Sequence, residues 1–180
     1  MTVTTRYDAV AQTLHWLMAL LIIATFALGL LVDVFPHSWE YTVVEIHKVL
    51  GFSILVLVFL RFVWRLGHRP PPLVNLGALI AGLSRLSHFA LYVLMILVPL
   101  IGLVYSARSG YGVDFGVFTL PPPPFIEVDR AAARATREIH ELAAYLLIGL
   151  AGFHGLAALW HHFIRKDDIL LRMLPGRPPR

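Results

Sequence analysis

His140 and His154 stand fourteen residues apart on one apolar stretch. A helix turns about 100° and rises about 1.5 Å per residue. Fourteen steps therefore return a side chain to within roughly 40° of its starting direction, about 21 Å further along the axis. Neutral imidazoles are good metal ligands. Two on one helix face at that separation can each reach a flat cofactor, one near each side of a hydrocarbon layer about 30 Å thick. Completing two such sites takes opposing histidines from other elements.

The composition says what those elements are. The chain has 180 residues, 58% hydrophobic and 14% charged, with mean hydropathy +0.73. A soluble domain carries roughly 25% charged residues, so this chain is expected to be an all-α integral membrane protein in one domain, 1–180. There is no cysteine, which excludes disulfides, thiolate metal sites and thioether-linked haem. The formal charge of +4 is explained by placement in a membrane and calls for no nucleic-acid partner.

Four apolar stretches are long enough to span, roughly Leu14–Phe35, Val43–Val63, Leu86–Tyr105 and Leu142–Phe163, extending to about 8–35, 43–66, 84–105 and 138–165. The first is too long for the apolar part of a cleaved signal and is expected to remain as a membrane helix. Asp129 is a candidate N-cap, Pro70, Pro71 and Pro72 stop the second helix, and Pro99 is expected to kink the third. Arg6, Arg61, Arg65, Arg69, Arg85, Arg165, Lys166, Arg172, Arg177 and Arg180 gather on one side; Lys48, Arg108, Arg130, Arg134 and Arg137 lie on the other. Positive residues mark the cytoplasmic side, so both termini are expected there. The segment Ser106–Glu138 is expected to cap the outer mouth.

Depth then sorts the nine histidines. His37 and His68 are expected in connections. His47 and His140 fall in the outer half, and His15, His88 and His154 in the inner half. Ionisable residues at such depths are functional candidates. His47 pairs with His140 and His15 with His154, each pair holding one non-covalent haem b through its iron, with His88 left over. Two imidazole ligands close the iron to oxygen binding and favour electron transfer. The fourteen-residue ruler runs from His15 to Gly29, from His88 to Gly102 and from His47 to Arg61. Glycine there admits a haem plane closely, as Gly51 and Gly155 also do, and Arg61 can pair with a propionate. His88 has a bland reading as an interhelical histidine, and His161 and Arg165 as anchors of the helix end. Trp16, Trp39, Trp64 and Trp160 read as an interfacial belt. The bland alternative for the histidines is a set of satisfied core residues.

The ordered set of motifs resembles the bacterial cytochrome b561 family, in its di-haem superoxide oxidase branch. It comprises His15-Trp16, His47-Lys48-x-x-Gly51, Leu86-x-His88-x-x-Leu91-Tyr92, Pro99-x-x-Gly102, His140-x13-His154, Ala158-x-x-His161-His162-Phe163, Asp167 and Leu171-Arg172-Met173. The resemblance covers nearly the whole chain. It implies a four-helix cytochrome with two haems b on His15, His47, His140 and His154. It also implies oxidation of superoxide to dioxygen at the outer face and reduction of ubiquinone, for which His88 with Tyr92 is a candidate inner pocket and His161 and Arg165 are candidates for propionate or quinone contact. Lys48, Arg108 and Arg137 are candidates for steering the superoxide anion, with Asp114, Glu127, Asp129, Glu138 and Glu141 nearby to dilute them. Other branches are quinone-linked haem subunits of hydrogenase-like or thiosulfate-reductase-like enzymes, which is the competing reading and allows a protein partner. A reading from another class is a small transporter or structural bundle with a histidine metal path.

Overall fold

The computed structural model describes residues 6–68, 70–71 and 77–176. Arg69, Pro72, Arg177 and Arg180, used above for orientation and helix termination, lie outside them. Four helices carry the architecture: α1 Ala9–Leu30, α2 His37–Gly67, α3 Ala78–Arg108 and α4 Arg130–Trp160. At 22 to 31 residues each, and about 1.5 Å per residue, they run about 33 to 46 Å and can cross a bilayer. A 3-10 turn, Val32–Val34, links α1 to α2. A two-stranded antiparallel hairpin, β1 Val113–Asp114 and β2 Thr119–Leu120, lies between α3 and α4, with Val113 opposite Leu120 and Asp114 opposite Thr119. Five residues of π-helix, His161–Arg165, close α4.

The helix boundaries have local causes. The Asp8 carboxylate accepts from Ala11 N–H at 2.9 Å, and the Asp129 carboxylate caps both Ala131 and Ala132. Each cap satisfies donors that the helix cannot. The second helix starts six residues earlier than its apolar run. His37 is therefore its first residue, exposed and paired with Glu40, not part of a connection. His68 is its C-cap, with its ring stacked on Trp64 at 3.9 Å. Helix α3 likewise runs out to Arg108, so the segment that closes the mouth is shorter than expected. Pro99 sits buried inside α3.

Packing runs in sequence order: α1 against α2, α2 against α3, and most extensively α3 against α4, whereas α1 and α4 touch little. Met18, Ile22, Ile54, Val58, Met95 and Leu147 form a central apolar cluster. Large apolar side chains such as Leu20, Phe59, Phe153 and Leu156 point outward. An apolar exterior on helices of this length is the arrangement lipid requires. We call the end where α1 starts and α4 finishes the terminal end, and the end bearing the hairpin the cap end. At the terminal end residues 167–174 fold back over the bundle. Trp16 Nε1–H donates to Met173 O at 2.8 Å, Gln12 Nε2 to Arg172 O at 3.2 Å, and Tyr7 N–H to Arg172 O at 3.3 Å. Arg6 also donates to Leu174 O. This strap joins α1 to the end of α4, the two helices with little direct packing.

Candidate functional site: two opposed histidine pairs

Near the cap end, His47 of α2 faces His140 of α4. Their ring centroids are 6.1 Å apart and the planes cross at 78°. Each ring is held the same way by the neighbouring helix. His47 Nδ1 lies 2.9 Å from Thr25 O of α1, and His140 Nδ1 lies 3.0 Å from Val98 O of α3. A carbonyl only accepts, so Nδ1 carries the hydrogen in both and Nε2 keeps its lone pair. Four residues after each of these carbonyls stands a glycine. A Cβ on Gly29 would lie 2.9 Å from His47 Cε1, and one on Gly102 would lie 2.9 Å from His140 Cε1. The ruler placed these glycines correctly but gave them another purpose: the room they leave is taken by the imidazole itself. Gly51 and Gly155 have nothing within 4 Å of such an added atom and cradle no ring.

Near the terminal end, His15 of α1 and His154 of α4 have ring centroids 6.2 Å apart, crossing at 71°. His88 of α3 also touches His154, at 5.2 Å, and its Nδ1–H donates to Ser84 O at 2.7 Å. Arg61 lies close enough to act electrostatically on all three histidines. Its Nε–H donates to the Tyr92 oxygen at 3.0 Å, and the Arg65 guanidinium stands 6.0 Å from the Tyr92 ring centre.

These distances allow a test of fit. A metal bonded by two opposed imidazole nitrogens at about 2 Å each sets the ring centroids about 6 Å apart. His47–His140 and His15–His154 meet that length; His88–His154 is about an ångström short of it. The residues present therefore fit two irons, each between two histidines, spaced along α4 by about 21 Å. Among the described residues, no group of three or more His, Asp or Glu side chains is arranged to hold a bare metal ion.

A cavity of about 1100 Å³ lies beside the terminal-end pair, between α2 and α3. Leu55, Phe59, Phe62 and Phe89 give it apolar walls, and Arg65, Ser84, Arg85, His88 and Tyr92 supply its polar groups. His161, the candidate for propionate or quinone contact, does not line this cavity; it is buried in the π-helical turn, where its Nδ1 meets Asp167 at 2.5 Å. Arg165 stands over the Trp160 ring at 5.7 Å.

The three cations named for anion steering all have partners. Lys48 is paired with Glu45 at 2.5 Å and donates to Gly112 O at 3.0 Å. Arg137 pairs with Glu141 at 2.7 Å. Arg108 donates to Thr136 Oγ1 at 2.7 Å and forms no ion pair among the described residues. Sequence reasoning missed Thr25, Val98 and Ser84, because each acts through its backbone carbonyl and any residue type supplies one.

The match of this arrangement to known proteins is extensive. Residues 6–176 fit the family model described as prokaryotic cytochrome b561. Cytochrome b561 homolog 2 of Escherichia coli K12 is 32% identical over 94% of this chain and 91% of its own length. The probable superoxide oxidase CybB of Yersinia pestis is 32% identical over 96% of this chain and 97% of its own. A cytochrome b562 of Cereibacter sphaeroides is 30% identical over 98% and 100%. With four membrane-length helices and histidines opposed across them, the chain belongs to the prokaryotic cytochrome b561 family of haem-b-binding, multi-pass membrane electron-transfer proteins.

Proposed function

We propose that this chain is a di-haem superoxide oxidase of the bacterial inner membrane. Both termini are cytoplasmic, and the cap faces the periplasm. One haem b lies between His47 and His140 and the other between His15 and His154. The observation that carries the di-haem reading is the pair of ring separations, 6.1 and 6.2 Å. Haem iron with two histidine ligands supplies one-electron transfer without an open coordination position. Arg61, half-buried beside the inner histidines, is positioned to neutralise a propionate.

Two superoxide anions yield two dioxygen molecules, and their two electrons with two protons convert ubiquinone to ubiquinol. The cavity between α2 and α3 suits the quinone head. The Tyr92 oxygen accepts from Arg61, so its O–H is free to donate to a carbonyl. The His88 Nδ1–H is committed to Ser84 O, so its Nε2 accepts from a hydroxyl. The name of the Yersinia relative supports superoxide as donor. Among the steering candidates, Arg108 forms no ion pair among the described residues; Lys48 and Arg137 serve mainly their carboxylate partners.

The purified protein is expected to show reducible b-type bands and two haems per chain. Mixed with generated superoxide and ubiquinone, it should form quinol at a rate set by superoxide supply. Haems that stay oxidised in that mixture would remove the superoxide step and leave a haem subunit awaiting a protein donor. His140→Ala is expected to retain one haem per chain, and two would refute the pairing.

A further inference from the structure

Helix α2 carries charge unusually deep. Between Lys48 and Arg61 its side chains are uncharged, a stretch of about 20 Å. Centred on a hydrocarbon layer of about 30 Å, that stretch leaves Lys48 about 5 Å inside the boundary at the cap end. It leaves Phe52 about 11 Å inside. Asp33 and Arg108, further toward the cap end than Gly29 and Gly102, then fall outside it. The hairpin spans this boundary: its Asp114 carboxylate accepts from Tyr41 O–H at 3.4 Å on the outer side. Its Asp114 N–H donates to Glu45 at 2.9 Å, its Gly112 O accepts from Lys48, and the Phe115 ring meets Phe52 at 5.5 Å.

Irregular backbone survives at membrane depth only where its polar groups are satisfied by protein. Here they are. Besides the bonds from Glu45 and Lys48, Ser106 Oγ lies 3.1 Å from Tyr111 O and 3.3 Å from Gly112 O. Phe115 N–H donates to Phe118 O at 2.9 Å, and Gly116 N–H to Asp114 at 2.8 Å. Val113 is buried against the bundle, while Val117 is 90% and Phe118 58% exposed on the far side.

We propose that the hairpin is a lipid-embedded plug. Its turn sits at the boundary between head groups and acyl chains at the cap end, with Val117 and Phe118 against lipid. Glu45, Lys48 and Ser106 form the polar clamp that satisfies its backbone there. The occupant of this surface is the bilayer, because the depth of the contacts on α2 places the turn within a layer where interfacial apolar groups bury, about 5–10 Å deep.

The absence of cysteine makes the test direct. Val117→Cys and Thr119→Cys are each labelled with an environment-sensitive fluorophore, with Arg134→Cys as an aqueous reference, in vesicles of a zwitterionic phospholipid. The expected result at 117 is blue-shifted emission, quenched at least about twofold more by lipids spin-labelled near the head group than at 134. Aqueous iodide should quench 134 more strongly. Emission and iodide quenching at 117 and 119 equal to those at 134 would overturn the proposal. So would protection from both quenchers, which would mean that protein covers the face. Unchanged circular dichroism and monodisperse elution show that the labelled chains are folded.

Discussion

The four paired histidines were legible from residue type and spacing because helical periodicity is strict enough to project azimuth and depth. What spacing did not reveal is how each ring is held. Thr25 and Val98 contribute carbonyls, which leave no trace in side-chain identity. The glycines give a sharp expectation. Alanine ordinarily favours a helix over glycine by about 1 kcal/mol, yet at Gly29 and Gly102 the added methyl meets an imidazole carbon at 2.9 Å. Gly29→Ala and Gly102→Ala are each expected to displace the facing ring and lower haem content from two to one per chain, measured by pyridine haemochrome. Gly51→Ala and Gly155→Ala meet nothing within 4 Å and should retain both. Loss in all four variants would show a general helix effect and sink the cradle reading.

Among the elements, the helices were readable from apolar runs, but their ends were not. A run of hydrophobic residues marks the stretch in lipid, whereas α2 and α3 continue past it in polar residues such as His37, Glu40 and Arg108. The hairpin escaped notice because its strands are two residues each, too short for any alternation to show. The strap also gave no periodic signal, although Asp167 and Leu171-Arg172-Met173 were visible as motif residues. Its consequence is specific. The terminal-end pair comes from α1 and α4, which pack little against each other, so residues 167–174 fix their relation near His15. A chain ending after Lys166 is expected to keep the His47–His140 site and lose the other, leaving one low-spin haem signal of two. Equal loss of both signals would argue for general unfolding.

Asp8 adds a pH dependence at the same end. Partial burial raises its carboxyl, but the Ala11 N–H and the Trp64 indole N–H, 3.0 Å away, outweigh that and hold it below the usual range. A lowered folded value means stability present above the unfolded pKa of about 4 and lost as pH falls through the folded value. Asp8→Asn keeps a capping side chain without the titration. It should be less stable than the parent at pH 7, by under about 1 kcal/mol, with the gap closing below about pH 4 in detergent melts. A gap unchanged by acid would remove the carboxylate as its cause.

At the scale of the whole molecule, charge separates the two ends. On the terminal-end side of the sequence Arg6, Arg61, Arg65, Arg69, Arg85, Arg165, Lys166, Arg172, Arg177 and Arg180 outnumber Asp8, Asp167 and Asp168. At the cap end Asp33, Glu40, Glu45, Asp114, Glu127, Asp129, Glu138 and Glu141 outnumber Lys48, Arg108, Arg130, Arg134 and Arg137. Two of the candidate steering cations are moreover tied to carboxylates. A long-range field drawing an anion to this face is therefore weak, and what attraction exists is local to Arg108. Steered encounters fall steeply with ionic strength, because the screening length shrinks from about 30 Å at 0.01 M salt to about 10 Å at 0.1 M. The rate of haem reduction by superoxide, followed by stopped flow, should accordingly fall by less than about threefold over that range. Arg108→Gln should slow it by a similar factor at either salt concentration, since a charge acting within a few ångströms is screened little. A tenfold fall with salt in the parent chain would mean that a basic mouth does operate, and that the pairs at Lys48 and Arg137 open in solution to form it.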